Sequence, residues 1–282
     1  MDIRTLIAVM GLTHVIQVGV FLHQYRQERH YPGVGWWLLW STTAAAGFIF
    51  LLLRQVEAVH IPAVFLQNTS IVLSIIFVYV GVQRFLGRTV RFRLIGALFA
   101  AYIAVLACFL VVRDDMAVRT VAFCGMLAGF AWATSWSLWH SNVPHAADAV
   151  RGNAVVFGLH GLVFAHRGAA IAVGTPMGDV FEPTWFNTVP YLDGIVVGLL
   201  WTFGFILMVN QRLQGETQDA RTQLELIFDT GPDPAMISTL PDGRIVSVND
   251  AFTELLGHRR SDVIGRTTVD IGLWAHVRDR EA

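Results

Sequence analysis

The sequence predicts an all-α polytopic membrane bundle of seven transmembrane helices, N-terminus out and C-terminus in, followed by a signalling helix and a partial α+β domain. Three observations carry this. The 282 residues are 54% hydrophobic and only 15% charged, with a mean hydropathy of +0.53, where an ordinary soluble domain carries about 25% charged residues. Seven apolar runs approach the ~20 residues needed to cross a ~30 Å hydrocarbon core. The charge also changes sign along the chain: residues 1–210 hold 12 arginines against nine acids, and residues 211–282 hold eight against 12.

The runs lie at 3–24, 35–54, 61–83, 94–112, 118–140, 152–174 and 187–210. The first is not expected to be a cleavable signal, because it lacks a basic start and an A-x-A site and carries His14 and Gln17 in mid-span. Short turns rich in Arg, Pro and Gly join the spans, so antiparallel neighbours are expected. The loops after the first, third and fifth spans carry Arg26, Arg29, Arg84, Arg88, Arg91, Arg93 and Arg151, while the other side carries Arg4, Arg54, Arg113 and Arg119 diluted by acids. Seven against four places the N-terminus outside and the tail in the cytoplasm. Trp36, Trp37 and Trp40, opening the second span, and Trp139, closing the fifth, are expected at the cytoplasmic interface as an aromatic belt.

All 20 basic residues are arginine. The absence of lysine excludes a retinal or pyridoxal Schiff base and a phosphate-loop lysine, so seven spans do not imply a retinal protein. Cys108 and Cys124 sit in apolar runs and supply neither a disulfide framework nor a CxxC metal clip. The lipid bilayer is an expected partner and nucleic acid is not.

Beyond the seventh span no proline or cap interrupts the chain up to Phe228, so one helix is expected to leave the membrane. With Asn210, Thr217 and Leu224 at a, Leu213, Ala220 and Ile227 fall at d. This short heptad reads either as a solvated linker or as a parallel coil that makes the protein a homodimer. Its polar a residues and Gly215 suit a transmitter, because two packings then lie within a few kcal/mol. The expected organisation is a sensor domain at 1–210, a signalling helix at 211–228 and a partial domain at 229–282.

In that last stretch Gly231-Pro232-Asp233-Pro234 breaks the helix, Ala235–Leu240 and Arg244–Val248 read as strands around a Pro241-Asp242-Gly243 turn, and short helices start at Asn249 and Ser261. The runs DGRIVSVNDAF and SDVIGR resemble the opening half of a PAS domain. Too few residues follow Asp229 to complete a PAS sheet, which leaves an open edge and an unfinished core. The chain is therefore expected to be a fragment cut inside its second domain. The opening MDIRTLIAVMGLTHVIQVGVFL, then HYPGVGWWLLWSTTAAAGFIFLLLR and VYVGVQRFLGR, look like the membrane input module of bacterial multidomain sensors. Those place a helical bundle before PAS and then a diguanylate cyclase (GGDEF), with or without an EAL phosphodiesterase, or a histidine kinase. The resemblance implies a bacterial inner-membrane location and a downstream enzyme. The chain carries no GGDEF loop, EAL motif or kinase H-box, so it is not itself expected to be an enzyme.

Polar groups inside spans are candidate functional groups. Arg167 lies seven residues from the expected outer end of the sixth span and Asp193 six from that of the seventh, both about 10 Å deep at ~1.5 Å per residue. They are expected to pair, either as a lock between two helices or as a ligand or gating site. Gln67 and Asn68 enter the third span at the same depth and, with His166, are expected to line an outward-facing pocket. The loop 175–188, with Phe181, Trp185 and Phe186, would close it. His14 lies near mid-membrane, and His160 shares a helical stripe with Arg167. The two imidazoles suit haem or copper ligation with an arginine at a propionate, a pH response, or ordinary interhelical hydrogen bonds. No ligand spacing decides among these. The function expected is a receptor for an unidentified small-molecule or metal signal. The alternatives are an intramembrane haem- or metal-binding redox sensor and a transporter or channel, the last without a clear inverted repeat or paired broken helices.

Overall fold

In hydrocarbon every backbone polar group must find its partner within its own segment, and the seven apolar runs do so as helices. In the computed structural model these are α1 (Ile3–Gln27), α2 (Val34–Leu53), α3 (His60–Phe85), α4 (Phe92–Ala107), α5 (Met116–Trp139), α6 (Ala147–Ala172) and α7 (Trp185–Asp229). A single 3-10 turn (Glu57–Val59) precedes α3, and a π turn (Cys108–Val112) extends α4. All seven are long and apolar enough to cross a membrane. The structure describes residues 3–28, 31–176 and 181–273. Arg29, the middle of the expected closing loop and the last nine residues of the expected PAS stretch lie outside the described residues. The chain divides into two compact units, Met1–Arg212 and Leu213–Ala282.

In the first unit α1 packs on α2, α2 on α3, α3 on α5 and α5 on α6. The first part of α7 meets α2 and α6 through large rings. Trp37 stacks on Phe205 at 4.3 Å, Phe157 stacks on Trp201 at 4.1 Å, and Trp40 meets Trp201 edge-on at 5.9 Å. This corrects the expected belt at Trp37 and Trp40, which are buried, whereas Trp139 lies exposed on the bundle surface as expected. The reason is local. Glycine at position 81 of α3 opens a slot for the Trp37 indole, since a Cβ there would lie 2.5 Å from its Nε1, and the ring packs there on Phe205 and Phe85. At the far end of this unit Arg212 donates to the Phe85 carbonyl at 3.0 Å and lies over the rings of Tyr31 and Phe85.

The second unit begins within α7. It continues with antiparallel β1 (Met236–Ser238) and β2 (Ile245–Val248), in register Met236 to Val248, and then α8 (Asp250–Leu256) and α9 (Arg260–Val263). Its core is small: Ile245, Val248, Phe252 and Val263, with Ile271 and Leu273 packed against them. Gly257 ends α8 in the left-handed region at φ 71°, the usual glycine stop. All three residues of β1 are exposed, as expected of a sheet with only two strands among the described residues.

Candidate functional site

Because neighbouring helices of the first unit run antiparallel, the C-terminal ends of α2 and α6 meet the N-terminal ends of α3, α5 and α7. The polar side chains of those ends therefore gather at the end of the bundle that carries the chain's N-terminus. Inside it lies a cavity of about 170 Å³, a size that accommodates a single aromatic ring. Arg54, Gln67, Asn68, Arg119, Arg167 and Asn187 line its polar end, and His14, Trp40, Phe48, His160, Phe164 and Trp201 line its aromatic end.

Each arginine is held differently. Arg119, on the first turn of α5, pairs with Asp114 at 2.8 Å and donates to the Phe109 carbonyl at 3.0 Å. Arg54, capping α2, reaches Gln67 Oε1 at 3.4 Å, which also accepts from Asn68 at 3.1 Å. Arg167, on α6, donates to the Phe186 carbonyl and to Asn187 Oδ1 and lies over the Phe186 ring at 4.7 Å. The Phe186 carbonyl is available because Pro190, four residues on within α7, has no N–H to give it. The guanidinium takes the place of that missing helical bond.

Asp193 pairs with His160, not with Arg167: Asp193 Oδ2 lies 2.7 Å from His160 Nδ1, with both side chains about nine-tenths buried. The expectation failed on depth. Asn187 meets Arg167, so Asp193, six residues further along α7, lies ~9 Å deeper, level with His160 seven residues back along α6. His160 is further enclosed by Phe164 and Trp201, each at 4.9 Å. His14 bonds Gln17 through Nδ1 and stacks on Phe48 at 5.1 Å. Glycine at 194 and 198 of α7 is what lets α1 approach. A Cβ at 194 would strike the Met10 methyl, and one at 198 would touch His14 and Gln17. The remaining departure is His166, which is exposed and does not line the cavity. One residue from Arg167 means ~100° around the helix, so only one of the two can face inward.

Thus Gln67, Asn68, Arg167, His14 and His160 do share one cavity, and Asp193 supports it through His160. Of the expected closing loop, Phe181 packs on the Ile3, Ile7 and Met10 cluster and Phe186 covers Arg167, whereas Trp185 is 78% exposed. Sequence reasoning assigned Arg54 and Arg119 only to topology, as loop charges at span ends, and passed over Trp201. That indole is buried and its N–H has no acceptor among the described residues. Nor do three of His, Cys, Asp and Glu stand together as a metal-holding group among the described residues.

Replacing Asp193 with leucine should leave His160 Nδ1 unpaired in a buried site, at a cost of about 1–3 kcal/mol. Asparagine, which keeps an acceptor and the shape, should cost less. Thermal unfolding of the detergent-solubilised chain, followed by tryptophan emission, separates the two. Equal melting of the leucine variant and the wild type would show the pair to be idle.

Outside this unit the comparison with known families is decisive. Residues 222–271 match the family model of the PAS fold. The PAS match runs from the last turns of α7 through β1, β2, α8 and α9. No curated protein and no solved structure matches the chain. Within the PAS segment, Arg260 ties Asp229 at 2.7 Å to the Val248 carbonyl at 2.7 Å, joining the end of α7 to β2. Of the expected transmission residues, Leu213 is half-buried, while Asn210, Thr217, Ala220, Leu224 and Ile227 are exposed along α7. Leu224 and Ile227 are 66% and 60% exposed, an apolar pair without cover in the single chain.

Proposed function

We propose that the chain is the input module of a membrane receptor: the bundle registers a signal, and α7 passes it to the PAS segment and an output enzyme. The observation that supports this is one helix, Trp185–Asp229. Its early residues Asn187, Tyr191 and Trp201 wall the cavity, and its last turns enter the PAS match at 222. Any ligand that changes how α7 sits in the bundle acts on the same backbone that leads into the PAS segment. The module belongs in a bacterial inner membrane with its C-terminus in the cytoplasm, where the arginine-rich loops would lie. The uncovered Leu224 and Ile227 suit a homodimer through the signalling helix. The output is cyclic-di-GMP turnover, or failing that a histidine kinase.

Helical phase provides the test. Deleting Gln218 and Asp219 turns everything after them by ~200°, whereas deleting 214–220 removes seven residues and leaves the phase within ~20°. In the receptor with its output enzyme, the two-residue deletion should lock or invert the cellular cyclic-di-GMP response. The seven-residue deletion should preserve it. Wild-type output from both would remove α7 as the transmitter.

A further inference from the structure

We propose that the bundle cavity binds a small single-ring aromatic carboxylate, with its carboxylate at Arg167 and its ring between Phe48, Trp40 and Trp201. This rests on the receptor reading and names the chemistry of its signal. Three independent features point to it.

The first is charge. Arg54, Arg119 and Arg167 line one end of the cavity, and among the described residues no aspartate or glutamate lines any of it. Asp114 offsets Arg119, but the partners of Arg167 are a backbone carbonyl, an amide oxygen and an aromatic face, with no carboxylate among the described residues. A guanidinium held at the depth of a membrane span by neutral groups alone attracts an anion, and its planar fork suits a carboxylate.

The second is the wall. Below the arginines the cavity is bounded by Phe48, Trp40, Phe164 and Trp201, rings that pack a flat apolar body better than an inorganic ion. The free space of about 170 Å³ is close to that of a cavity known to accept benzene. It matches a single ring.

The third is the Trp201 indole. It is 4% exposed and its N–H has no acceptor among the described residues, a condition that buried donors in folded proteins rarely tolerate. Trp201 sits against His160, seven residues and hence ~10 Å along α6 from Arg167. A ring acid with an oxygen opposite its carboxylate is long enough to reach from Arg167 toward this indole, and a turn of the indole on binding would bring its buried N–H onto that oxygen. The para-hydroxylated arylacetates have this shape.

The chain reconstituted in nanodiscs of zwitterionic lipid should therefore bind 4-hydroxyphenylacetate saturably, read by quenching of tryptophan emission and by calorimetry. The neutral 4-hydroxyphenylacetamide should bind about tenfold or more weakly, since it forfeits a charge-assisted pair. Arg167→Gln should erase the difference between acid and amide, and Arg167→Lys should retain part of it. Trp201→Phe should weaken the hydroxylated acid while sparing phenylacetate. Should Arg167→Gln fail to fold, the acid–amide comparison on the native chain and the lysine variant still decide the matter. Equal affinity for acid and amide, or no saturable binding at millimolar acid, would overturn the proposal. So would tighter binding of decanoate than of either ring acid, which would point to a chain acid drawn from the bilayer. Binding is read on the chain alone and helical phase on the output, so either can fail while the other stands.

Discussion

Replacing Gly81 with leucine should strongly destabilise the bundle. A Cβ at this position would lie 2.5 Å from Trp37 Nε1, 2.6 Å from Cδ1 and 3.2 Å from the Gly33 carbonyl. None of the three can yield. Trp37 has no exposed surface, is stacked on Phe205 at 4.3 Å and is tilted against Phe85 at 5.8 Å. Gly33 is fixed at φ 102°, and its own Cβ position is already 2.5 Å from the Gly81 carbonyl. Overpacking a core costs about 1–3 kcal/mol where side chains can rearrange, and more where backbone must shift. The leucine variant should therefore lose at least the upper figure. Gly81→Ala, which adds the clashing atom alone, should also lose stability, though less. Melting in detergent, monitored by the red shift of tryptophan emission, measures both. A leucine variant that melts with the wild type would mean that α2 and α3 can separate at this crossing without penalty.

This crossing also shows where sequence reasoning reaches and where it stops. Hydropathy counts how many segments must satisfy their own hydrogen bonds, and that property is one-dimensional. All seven spans and the uninterrupted course of α7 were therefore legible, as was the PAS opening, whose turn and cap residues act locally. What a side chain faces depends on azimuth and on the relative depth of two helices, which no single run encodes. Asp193 was matched to Arg167 by counting from expected span ends, yet a shift of about two turns hands it to His160. His166 and Arg167 are adjacent in sequence and point apart. Trp37 and Trp40, placed at the interface by their position in the span, turn inward because a glycine on a different helix makes room for Trp37 and the Trp201 and Phe205 rings of α7 pack edge-on against Trp40. Arg54 and Arg119 carry the same charge whether they mark topology or line a cavity, so only packing could assign them to the site. Polar residues within spans do gather all the same: five of the seven candidates raised from them line one cavity.

Substituting alanine for Asn249 should release the PAS segment while leaving the bundle intact. Asn249 is 1% exposed and holds three pieces of chain at once. Its Oδ1 accepts from the Phe252 amide at 2.9 Å, capping α8, and from the Ala235 amide at 2.8 Å, anchoring the approach to β1. Its Nδ2 donates to the Asp233 carbonyl at 2.8 Å and to the Gly231 carbonyl at 3.4 Å, pinning the Gly-Pro-Asp-Pro break that separates α7 from the sheet. Loss of an N-cap alone costs about 1 kcal/mol, and each buried group left without a partner adds about 1–3 kcal/mol. A total near 3 kcal/mol follows, which is large against a core built mainly from Ile245, Val248, Phe252 and Val263. Such a segment opens as a local unit. Amide hydrogen exchange on the whole chain in micelles should show protection across β1, β2 and α8 falling by about a hundredfold, with α2 and α3 unchanged. Asn249→Asp keeps both accepted bonds and loses both donated ones, so its protection should fall between alanine and wild type. Unchanged protection in the alanine variant would mean that the loop before β1 is held by its prolines alone. The asparagine would then be a turn residue and not the clasp between the signalling helix and the sheet.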